Sequence, residues 1–326
     1  MITATSMMYI YTETPLHAGV GSGLSSVELP IQRERHTQYP MIQGSSIKGK
    51  LRALIAMQAG SNSDGLVKAL FGHERETLET DQFHAGALIV GDARILLFPV
   101  RSLKGVFAYT TSFDVLERFR KDLTYIHQEQ TFPQLPPERP MNGQALVTEH
   151  SEVITSEGKP GLLLEEFSFE VSKSQQVTNV AHWLAEHALP LDGYWADKLR
   201  SALVVLPDDD FRDFVLYSTE LITRIALDQG TKTVREGALW TEEHLPADTL
   251  LYAPIYATNE RRPNNQPHAG NNAPRSGVEL LREAQNRSLQ AGPYLQLGGD
   301  ETVGRGFVKV RWSPAVSLIG STTSKS

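Results

Sequence analysis

Glu28 is the single acidic residue between Thr14 and Arg33, and it lies between a glycine-rich run and a basic run. His17 opens the glycine-rich run HAGVGSG, which covers residues 17–23. A carboxylate and an imidazole on one loop could transfer protons, and the carboxylate could also hold a divalent metal ion. Because glycine lets a backbone approach a ligand closely, the same stretch could instead grip nucleic acid or simply turn between two strands.

Positive charge is concentrated directly after Glu28, although the whole chain is acidic. The net charge of −7 and the pI of about 5.8 on their own argue against a nucleic-acid partner. Between residues 33 and 52 the balance is reversed to +4, because five basic residues face only Glu34. Those five are Arg33, Arg35, Lys48, Lys50 and Arg52, and His36 lies beside them. The cluster could grip phosphate or form a solvated charged face, and Arg33 could pair with Glu28 or Glu34.

A second glycine-rich run, GGDETVGRGF, covers residues 298–307 near the C-terminus. In the first run, GVGSGL resembles the start of the dinucleotide-binding pattern G-x-G-x-x-G, but Pro30 and no apolar helical stripe follow it. The phosphate-loop spacing G-x-x-x-x-G-K-[ST] does not occur in the sequence. A nucleotide site is therefore disfavoured, and both runs could also be plain tight turns.

Two elements must position the first glycine-rich run. SMMYIYTETP (residues 6–15) has the apolar and aromatic content of a β-strand and ends at Pro15. GSSIKGKLRALIAMQ (residues 44–58) is predicted to be a helix, because apolar residues recur at helical spacing. That apolar stripe consists of Ile47, Leu51, Leu54 and Ile55.

The start of this predicted helix combines small polar and basic side chains. Ser45 or Ser46 could cap its N-terminus, and the first-turn N–H groups suit a phosphate. Lys48 and Arg52 are four residues apart, so they share a face that differs from the apolar stripe.

The rest of the chain mixes strands and helices without a βαβα alternation, which favours an α+β architecture with an antiparallel sheet. Strands are predicted at residues 86–100, 105–112 and 161–171, and helices at 112–123, 177–187, 209–225 and 278–290. A hairpin is predicted over residues 231–257 with its turn near Glu236 and Gly237, and the last glycine-rich run should join two closing strands. Loops at 131–143 and 259–277 and a disordered tail at 314–326 complete the prediction.

The composition limits the class of protein. The 326 residues with 40% hydrophobic content allow one large domain with insertions or two domains. Cysteine is absent, which excludes disulfides, thiolate zinc ligands and a thiol nucleophile. The N-terminus has no basic segment followed by a long apolar run, and no stretch approaches 18 consecutive apolar residues. We therefore expect a soluble, cytoplasmic protein without a signal peptide or a membrane partner.

The order of these features resembles the RAMP superfamily of CRISPR proteins. In detail, the chain resembles the backbone subunit of type III-B effector complexes, the Cmr complex, over most of its length. The resemblance is carried by LHAGVGSG, ELPIQRERHTQYPMIQGSSIKGKLR, TKTVREGALWTEEHLP and LQLGGDETVGRGFV. It implies one domain over residues 1–326, with a ferredoxin-like (RRM-type) core of antiparallel strands, insertions and a protruding β-hairpin thumb within residues 229–257.

The resemblance also implies a function. Several copies of such a subunit stack into a helical filament along a guide crRNA, together with other Cmr-type subunits. The thumb of each copy pushes between nucleotides and flips bases at regular intervals. Complementary target RNA is cut beside each flipped base by attack of its own 2′-OH, and a divalent metal, Mg²⁺ or Mn²⁺, is needed only for the cutting.

Roles for individual residues follow from the same resemblance. The expected RNA-binding residues are Arg33, Arg35, Ser45, Ser46, Lys48, Lys50, Arg52, Gly304, Arg305 and Gly306. Glu28 is the expected catalytic carboxylate and metal ligand, His17 would orient the loop or act as an acid, and Glu236 would be a second carboxylate. Leu239 and Trp240 would form the apolar wedge of the thumb.

Glu28 differs from the aspartate that the resembled family carries at this position. The extra methylene changes the reach of the carboxylate by about 1 Å, and such a shift can lower a rate about 100-fold. Three functions therefore stay open. The chain could be a metal-dependent endoribonuclease within a guide-RNA filament, a structural RNA-binding subunit that does not cut, or a free-standing nucleotide-binding enzyme.

Overall fold

The computed structural model describes residues 1–21, 27–61, 65–73, 84–155, 160–228, 230–231, 233–261, 273–290 and 292–318. Its strands are β1 (Ile2–Thr12), β2 (Met41–Ile42), β3 (Leu88–Val90), β4 (Ala93–Arg101), β5 (Phe107–Ser112), β6 (Gln144–Val147), β7 (Gly161–Leu164), β8 (Phe167–Lys173), β9 (Leu203–Leu206), β10 (Glu220–Leu227), β11 (Val234–His244), β12 (Leu250–Thr258), β13 (Tyr294–Gln296), β14 (Phe307–Trp312) and β15 (Val316–Ser317). Its helices are α1 (Gly44–Ala59), α2 (Gly65–Phe71), α3 (Phe113–Tyr125), α4 (Gln175–His187), α5 (Tyr194–Ala202), α6 (Asp208–Tyr217) and α7 (Gly277–Gln290).

Most of these strands join one sheet in the order β13-β14-β1-β12-β4-β5-β9-β6-β8-β7. The stretch β14-β1-β12-β4 is antiparallel throughout. In the chain, α1 lies between β1 and β4, and α7 lies between β12 and β14. The other half of the sheet is mixed, because β5 pairs in parallel with β9, and β6 pairs in parallel with β8. The predicted mixture of helices with a mostly antiparallel sheet is confirmed.

β1 is an interior strand between β14 and β12, and it is buried from its second residue to its end. Both faces of the strand carry large side chains, so both must be covered. On one face the amide of Gln285 on α7 donates to Ser6 Oγ at 2.9 Å. On the other face the ring of Tyr9 lies 6.2 Å from the ring of Phe119 on α3. Helices therefore cover β1 on both sides, and the loop that leaves β1 starts from a fixed position.

α1 forms where the apolar stripe predicted it, and Ile47, Leu51 and Ile55 are buried. The predicted serine cap is wrong. Gln43, with extended backbone, precedes the helix without a side-chain cap, and both serines lie in the first turn. The Gly44 N–H donates instead to the carboxylate of Asp92 at 2.8 Å. One of the first-turn donors predicted for phosphate is thus already occupied.

The predicted helix at 209–225 is wrong beyond α6. Residues 220–227 form β10, because ELITRIAL places β-branched residues in a pattern that suits a strand better than a helix. β10 pairs only with β11, in a two-stranded antiparallel sheet of its own within the described residues. We call this pair the hairpin.

The hairpin is also not the one that the sequence predicted. Glu236 and Gly237 lie inside β11 rather than at a turn, and β12 pairs with β1 in the main sheet. The prediction took Gly237 for a turn residue because glycine is uncommon inside strands. The predicted thumb region at 229–257 therefore covers one strand of the hairpin and one strand of the main sheet.

Other predictions agree with the structure in most places. The strand pair β4 and β5, and the helices α3, α4 and α7, form close to where they were predicted. The predicted strand at 161–171 is two strands, which turn at Glu165 with a φ of 49°. α5 and β9 were not predicted. In the predicted tail, β15 pairs with β1, and residues 319–326 lie outside the described residues. Residues 262–272 of the predicted loop also lie outside them.

No helix among the described residues is long and apolar enough to cross a membrane.

Candidate nucleic-acid interface

A cleft of about 580 Å³ opens where both glycine-rich runs meet the start of α1. It is lined by His17, Ala18, Gly19, Gly21, Gln32, Ile42, Ser45, Ser46, Gly49, Lys50, Ala53, Gln296, Leu297, Gly298 and Gly299. Small residues predominate in this lining, so backbone atoms are close to whatever occupies the cleft. Gly23 of the first run lies outside the described residues.

The two glycine-rich runs are hydrogen-bonded to each other. The Gly299 N–H donates to the His17 carbonyl at 3.0 Å, and the Gly306 N–H donates to the Pro15 carbonyl at 2.9 Å. Gly298 has a φ of +76°, and a Cβ there would lie 2.3 Å from the His17 carbonyl oxygen. Both conformation and space therefore require glycine at position 298. At the exposed Gly304 only the φ of +79° favours glycine, because a Cβ there would meet nothing within 4 Å.

The positive charge in the cleft comes from Lys50 rather than from Lys48. Lys50 Nζ lies 3.3 Å from Gln296 Oε1 and 3.9 Å from a carboxylate oxygen of Glu301, so it spans from α1 to the C-terminal segment. Lys48 Nζ donates to the Leu88 carbonyl at 2.8 Å and does not line the cleft. Burial, and then the charges of two nearby arginines, lower the pKa of Lys48. The predicted Lys48–Arg52 face therefore lies outside the cleft that we describe.

Glu28 is exposed at the foot of the hairpin. Its Oε2 accepts the Thr241 N–H at 3.0 Å. Its neighbour Leu29 runs alongside β11, donating to the Thr241 carbonyl and accepting from the Glu243 N–H. The segment after the first glycine-rich run is thus docked on the hairpin, with the Glu28 carboxylate at the edge of β11.

His17 is held by the same strand. Its Nδ1 lies 2.7 Å from the Glu243 carbonyl oxygen. Because a carbonyl can only accept, Nδ1 carries the proton, and Nε2 of the neutral ring keeps a lone pair. A Cβ on Gly19 would lie 2.5 Å from that Nε2, so the ring packs against the glycine backbone in the cleft wall. His17 and Glu28 are anchored two residues apart on β11, which corresponds to about 7 Å along a strand.

Arg33 does not reach either of the two partners considered from sequence. It pairs with Glu243 at 2.5 Å and also donates to the backbone carbonyls of Gln38 and Val215. Its side chain is 13% exposed. Arg33 therefore fastens its segment to the hairpin, and this placement does not support contact with RNA.

Glu34 is hydrogen-bonded as well, and the two residues that follow it in the chain are exposed. Two nitrogens of Arg118 donate to the Glu34 carboxylate at 2.6 and 2.8 Å, and the Thr37 hydroxyl donates at 2.7 Å. Burial alone would raise the pKa of Glu34, but these hydrogen bonds outweigh it and lower the pKa. Arg35 and His36 are exposed on the turn that follows. They are the predicted basic residues of this segment that can meet a ligand.

The hairpin has two unlike faces. Leu239 is 58% exposed, and Leu221 and Ile225 on β10 are exposed on the same face. Trp240 faces the opposite way and donates its indole N–H to Glu242 Oε1 at 2.7 Å. Of the two residues predicted as a wedge, only Leu239 lies on the exposed face. Glu236 belongs to β11, but its side chain lies outside the described part of the structure.

Sequence reasoning missed a buried polar group under the hairpin, formed by Arg224, Glu242, His244 and Asp300. Burial, and then the nearby His17 and Arg305, lower the pKa of His244. The alternation of Glu242 and His244 within WTEEHL would place them on one face of a strand. Nothing in the sequence links that face to Asp300, so the group becomes visible only in three dimensions.

The chain is similar in sequence and in fold to known proteins. The RAMP superfamily sequence pattern matches residues 9–309. The CRISPR system Cmr endoribonuclease Cmr4 of Pyrococcus furiosus is 39% identical over 302 residues, covering 92% of this chain and 93% of that protein. The crystal structure of oligomeric Cmr4 from Pyrococcus furiosus superposes with a TM-score of 0.68 at 32% identity, covering 98% of this chain and 99% of that one. A chain of the type III-B Cmr-beta complex bound to cognate target RNA, seen by cryo-electron microscopy, superposes with a TM-score of 0.67 at 21% identity and covers 94% and 96%.

Proposed function

Since this chain belongs to the RAMP superfamily, we propose that it is a guide-RNA-binding backbone subunit of a type III-B CRISPR complex and cuts complementary target RNA. The observation that carries the proposal is the cleft, in which both glycine-rich runs, His17 and Lys50 meet, while Glu28 is anchored two residues from His17 on β11. The relative from Pyrococcus furiosus is named an endoribonuclease, which supports the cutting activity.

The strand order supports a ferredoxin-like core. In that fold, two βαβ units form an antiparallel sheet with the order 4-1-3-2. Taking β1, β4, β12 and β14 as strands one to four, the observed order β14-β1-β12-β4 is the same. α1 and α7 are then the two crossover helices, and they pack against each other.

The cleft suits the sugar–phosphate backbone of a single strand. Its glycine-rich walls let main-chain N–H groups approach phosphate oxygens, and Lys50 supplies positive charge that is sequence-independent. Arg35 and His36 are exposed on the adjoining segment and extend this surface. The guide crRNA would occupy the cleft, and the complementary target would pair along it.

The partners of the chain follow from the proposed class. The related crystal structure is an oligomer, which supports filament formation by further copies of this chain. The related cryo-electron microscopy structure is a Cmr complex with target RNA, which supports association with other Cmr-type subunits. Such a complex works on RNA in the cytoplasm, and we propose that location.

The exposed face of the hairpin is the proposed thumb wedge. Leu221, Ile225 and Leu239 form an apolar surface that protrudes from a two-stranded sheet. Apolar side chains that enter a base step replace stacking contacts, which is how protein wedges unstack nucleotides. The base flipped by this face would lie next to the foot of the hairpin, where Glu28 is held.

Cutting is proposed to use the target's own 2′-OH. The 2′ oxygen attacks the adjacent phosphorus and passes its proton to a base, and the bond to the 5′ oxygen breaks. The products are a 2′,3′-cyclic phosphate and a 5′-OH, whose proton comes from water. His17 Nε2 has the lone pair for this transfer, because Nδ1–H is committed to the Glu243 carbonyl. Glu28 can position the attacking group or the cation, because among the described residues only its Oε2 accepts a hydrogen bond, from the Thr241 N–H.

A divalent cation, Mg²⁺ or Mn²⁺, would neutralise charge at the scissile phosphate. Mg²⁺ is commonly held by one or two carboxylates together with phosphate oxygens and water. Glu28 fits that role as a single carboxylate next to bound RNA, although it is not one of the three described residues that cluster as metal ligands. Guide binding itself should not require the cation.

Reconstitution tests the proposal. The chain is assembled with guide RNA and partner subunits, complementary target and Mg²⁺ or Mn²⁺ are added, and fragments are resolved on a sequencing gel. We expect regularly spaced fragments that disappear with EDTA and in Glu28→Ala. Absence of fragments would refute the nuclease proposal, and unchanged cutting by Glu28→Ala would refute the assignment of Glu28. A non-complementary target serves as the control.

A structural subunit without cutting activity is the second candidate. The longer Glu28 side chain and its contact with Thr241 favour it, because both restrict the carboxylate. This candidate predicts normal assembly on guide RNA and normal capture of target, with no fragments under any divalent metal. Binding and cutting measured on the same sample therefore separate the two functions.

A further inference from the structure

A histidine and two carboxylates converge where the hairpin meets the second glycine-rich run. Glu242 and His244 alternate on β11 and so share one face, while Asp300 comes from the glycine-rich run. His244 Nε2 lies 3.5 Å from Asp300 Oδ2 and 3.9 Å from Glu242 Oε2. The three ligand atoms all lie within 4.8 Å of one another.

The His244 ring is fully buried without hydrogen bonds. Its side chain is 0% exposed, and neither ring nitrogen has a hydrogen-bond partner in the described part of the chain. Glu242 Oε2 is also buried and has no hydrogen bond of standard geometry, but Arg224 Nε lies 2.5 Å from it. Buried polar atoms normally have partners, so a fully buried imidazole with two unpaired nitrogens, one of them facing two carboxylates, points to an additional ligand.

Arg224 is the positive group of the cluster, and its guanidinium contacts both carboxylates. Its Nε lies 2.5 Å from Glu242 Oε2 and its NH2 lies 2.9 Å from Asp300 Oδ2. The contact with Glu242 is an ion pair without hydrogen-bond geometry, since that oxygen has no hydrogen-bond partner. Arg224 offsets one of the two carboxylate charges and leaves the imidazole lone pair unused.

We infer that Glu242, His244 and Asp300 form a Zn²⁺ site. Zn²⁺ is bound by imidazole nitrogen and carboxylate oxygen at about 2.0–2.2 Å, which places the ligand atoms of a tetrahedral site about 3.3 Å apart. The two separations that involve His244, 3.5 and 3.9 Å, need only small side-chain movements to reach that value. The two carboxylate oxygens lie within 4.8 Å of each other, and Arg224 must withdraw from them when the ion enters. Mg²⁺ and Ca²⁺ fit less well, because an imidazole supplies one of the three donors. Asp300, whose side chain is 21% exposed, gives the ion a route of entry and room for a water ligand.

The site would join the hairpin to the second glycine-rich run. β11 also holds His17 and Glu28, and the ring of His17 lies 5.4 Å from the ring of His244. A cation at this point would therefore fix the hairpin relative to the cleft. This Zn²⁺ site is distinct from the cation proposed at Glu28, and the inference does not depend on the chain being a nuclease.

Metal analysis of the untagged full-length chain tests the site. The protein is stripped with a chelator, supplied with Zn²⁺, desalted and measured by mass spectrometry for bound metal. We expect one Zn²⁺ per chain, and substitution with Co²⁺ should give the visible absorption of tetrahedral nitrogen and oxygen coordination. His244→Asn and Asp300→Asn should each weaken Zn²⁺ binding by at least about 10-fold, the loss that even an outer partner of a metal ligand produces.

His17→Asn is the matched control, since it removes a neighbouring imidazole that is not a proposed ligand. It should retain Zn²⁺, and so should Glu28→Ala. If His244→Asn does not fold, as judged by circular dichroism, the partly exposed Asp300→Asn still decides the question. A wild-type chain that retains no Zn²⁺, or variants that bind Zn²⁺ and Co²⁺ as the wild type does, would overturn the inference. Either result would leave the proposed RNA-guided cutting untouched.

Discussion

Arg33 and Glu243 form an ion pair that joins the segment after the first glycine-rich run to the hairpin. Arg33 NH2 lies 2.5 Å from Glu243 Oε1, and the two side chains are only 13% and 7% exposed. Glu243 also accepts hydrogen bonds from the Ile31 N–H and the Thr219 hydroxyl. Two segments 210 residues apart in the chain are thus held together by one buried carboxylate.

Removing Arg33 should destabilise the fold strongly. Arg33→Ala leaves the Glu243 charge buried without its partner, and breaking a buried pair in this way lowers the free energy of unfolding by about 3–5 kcal/mol. Arg212→Ala is the matched control, because Arg212 pairs with Asp209 on the surface and should change the free energy by less than about 1 kcal/mol. Urea unfolding of both variants gives the comparison. Equal losses would show that the Arg33 pair has no structural role.

Lys50 should contribute to RNA binding more than Lys48. Lys50 lines the cleft, whereas Lys48 is half-buried and bonded to the Leu88 carbonyl. Lys50→Ala should weaken binding and reduce the slope of log K against log salt by about 0.7, the contribution of one phosphate contact on a single strand. Fluorescence anisotropy with labelled RNA across a salt series measures this. If Lys48→Ala changes the slope and Lys50→Ala does not, the RNA lies on the other face of α1.

Shortening Glu28 should not impair cutting. Glu28→Asp keeps the carboxylate and draws it back from the Thr241 N–H that it now accepts, which frees both oxygens for RNA or metal. We expect a single-turnover rate at least equal to that of the wild type, and no cutting in Glu28→Gln. The rates are measured with reconstituted complex and labelled target. A drop of about 10-fold or more in Glu28→Asp would instead show that this site depends on the longer side chain.

The Glu34 cluster should make stability depend on pH. The pKa of Glu34 is lowered in the fold by hydrogen bonds from Arg118 and Thr37, which outweigh its burial. The stability that it supplies is therefore fully present above the unfolded pKa of 4.5 and is lost as the pH falls through the lower folded pKa. The difference in unfolding free energy between wild type and Glu34→Gln should be large at pH 7 and shrink towards pH 3. Glu117→Gln on the surface of α3 is the control, and a difference that grows on acidification would contradict the assignment.

Local patterns predicted the parts of the fold that depend on near neighbours. The apolar stripe through Ile47 and Leu51 located α1 within a residue or two, because helical periodicity is a property of consecutive side chains. Helical periodicity could not predict that Lys50, and not Lys48, lines the cleft. The orientation of each lysine depends on which strand the helix packs against, and β3 contributes the carbonyl that holds Lys48.

The hairpin and its charged contacts show where sequence patterns are insufficient. ELITRIAL can satisfy a helix or a strand locally, and its pairing with β11 decides the outcome. Arg33 was expected to bind RNA, with Glu28 or Glu34 as alternative partners, but its partner Glu243 comes from β11. The cluster of Glu242, His244 and Asp300 was missed for the same reason, because β11 meets the second glycine-rich run only after the sheet has formed.

The cleft takes one wall from residues 17–21 and another from residues 296–299, and the Gly306 N–H closes onto the Pro15 carbonyl. β1 is likewise flanked by β12 and β14, which are synthesised late in translation. A nascent chain therefore has no neighbours for its first strand and no cleft until translation is almost complete. Pairing at such separation is slow and leaves apolar surface exposed in the meantime. A prematurely terminated chain would leave β1 unpaired and exposed to proteolysis, and it would lack the cleft.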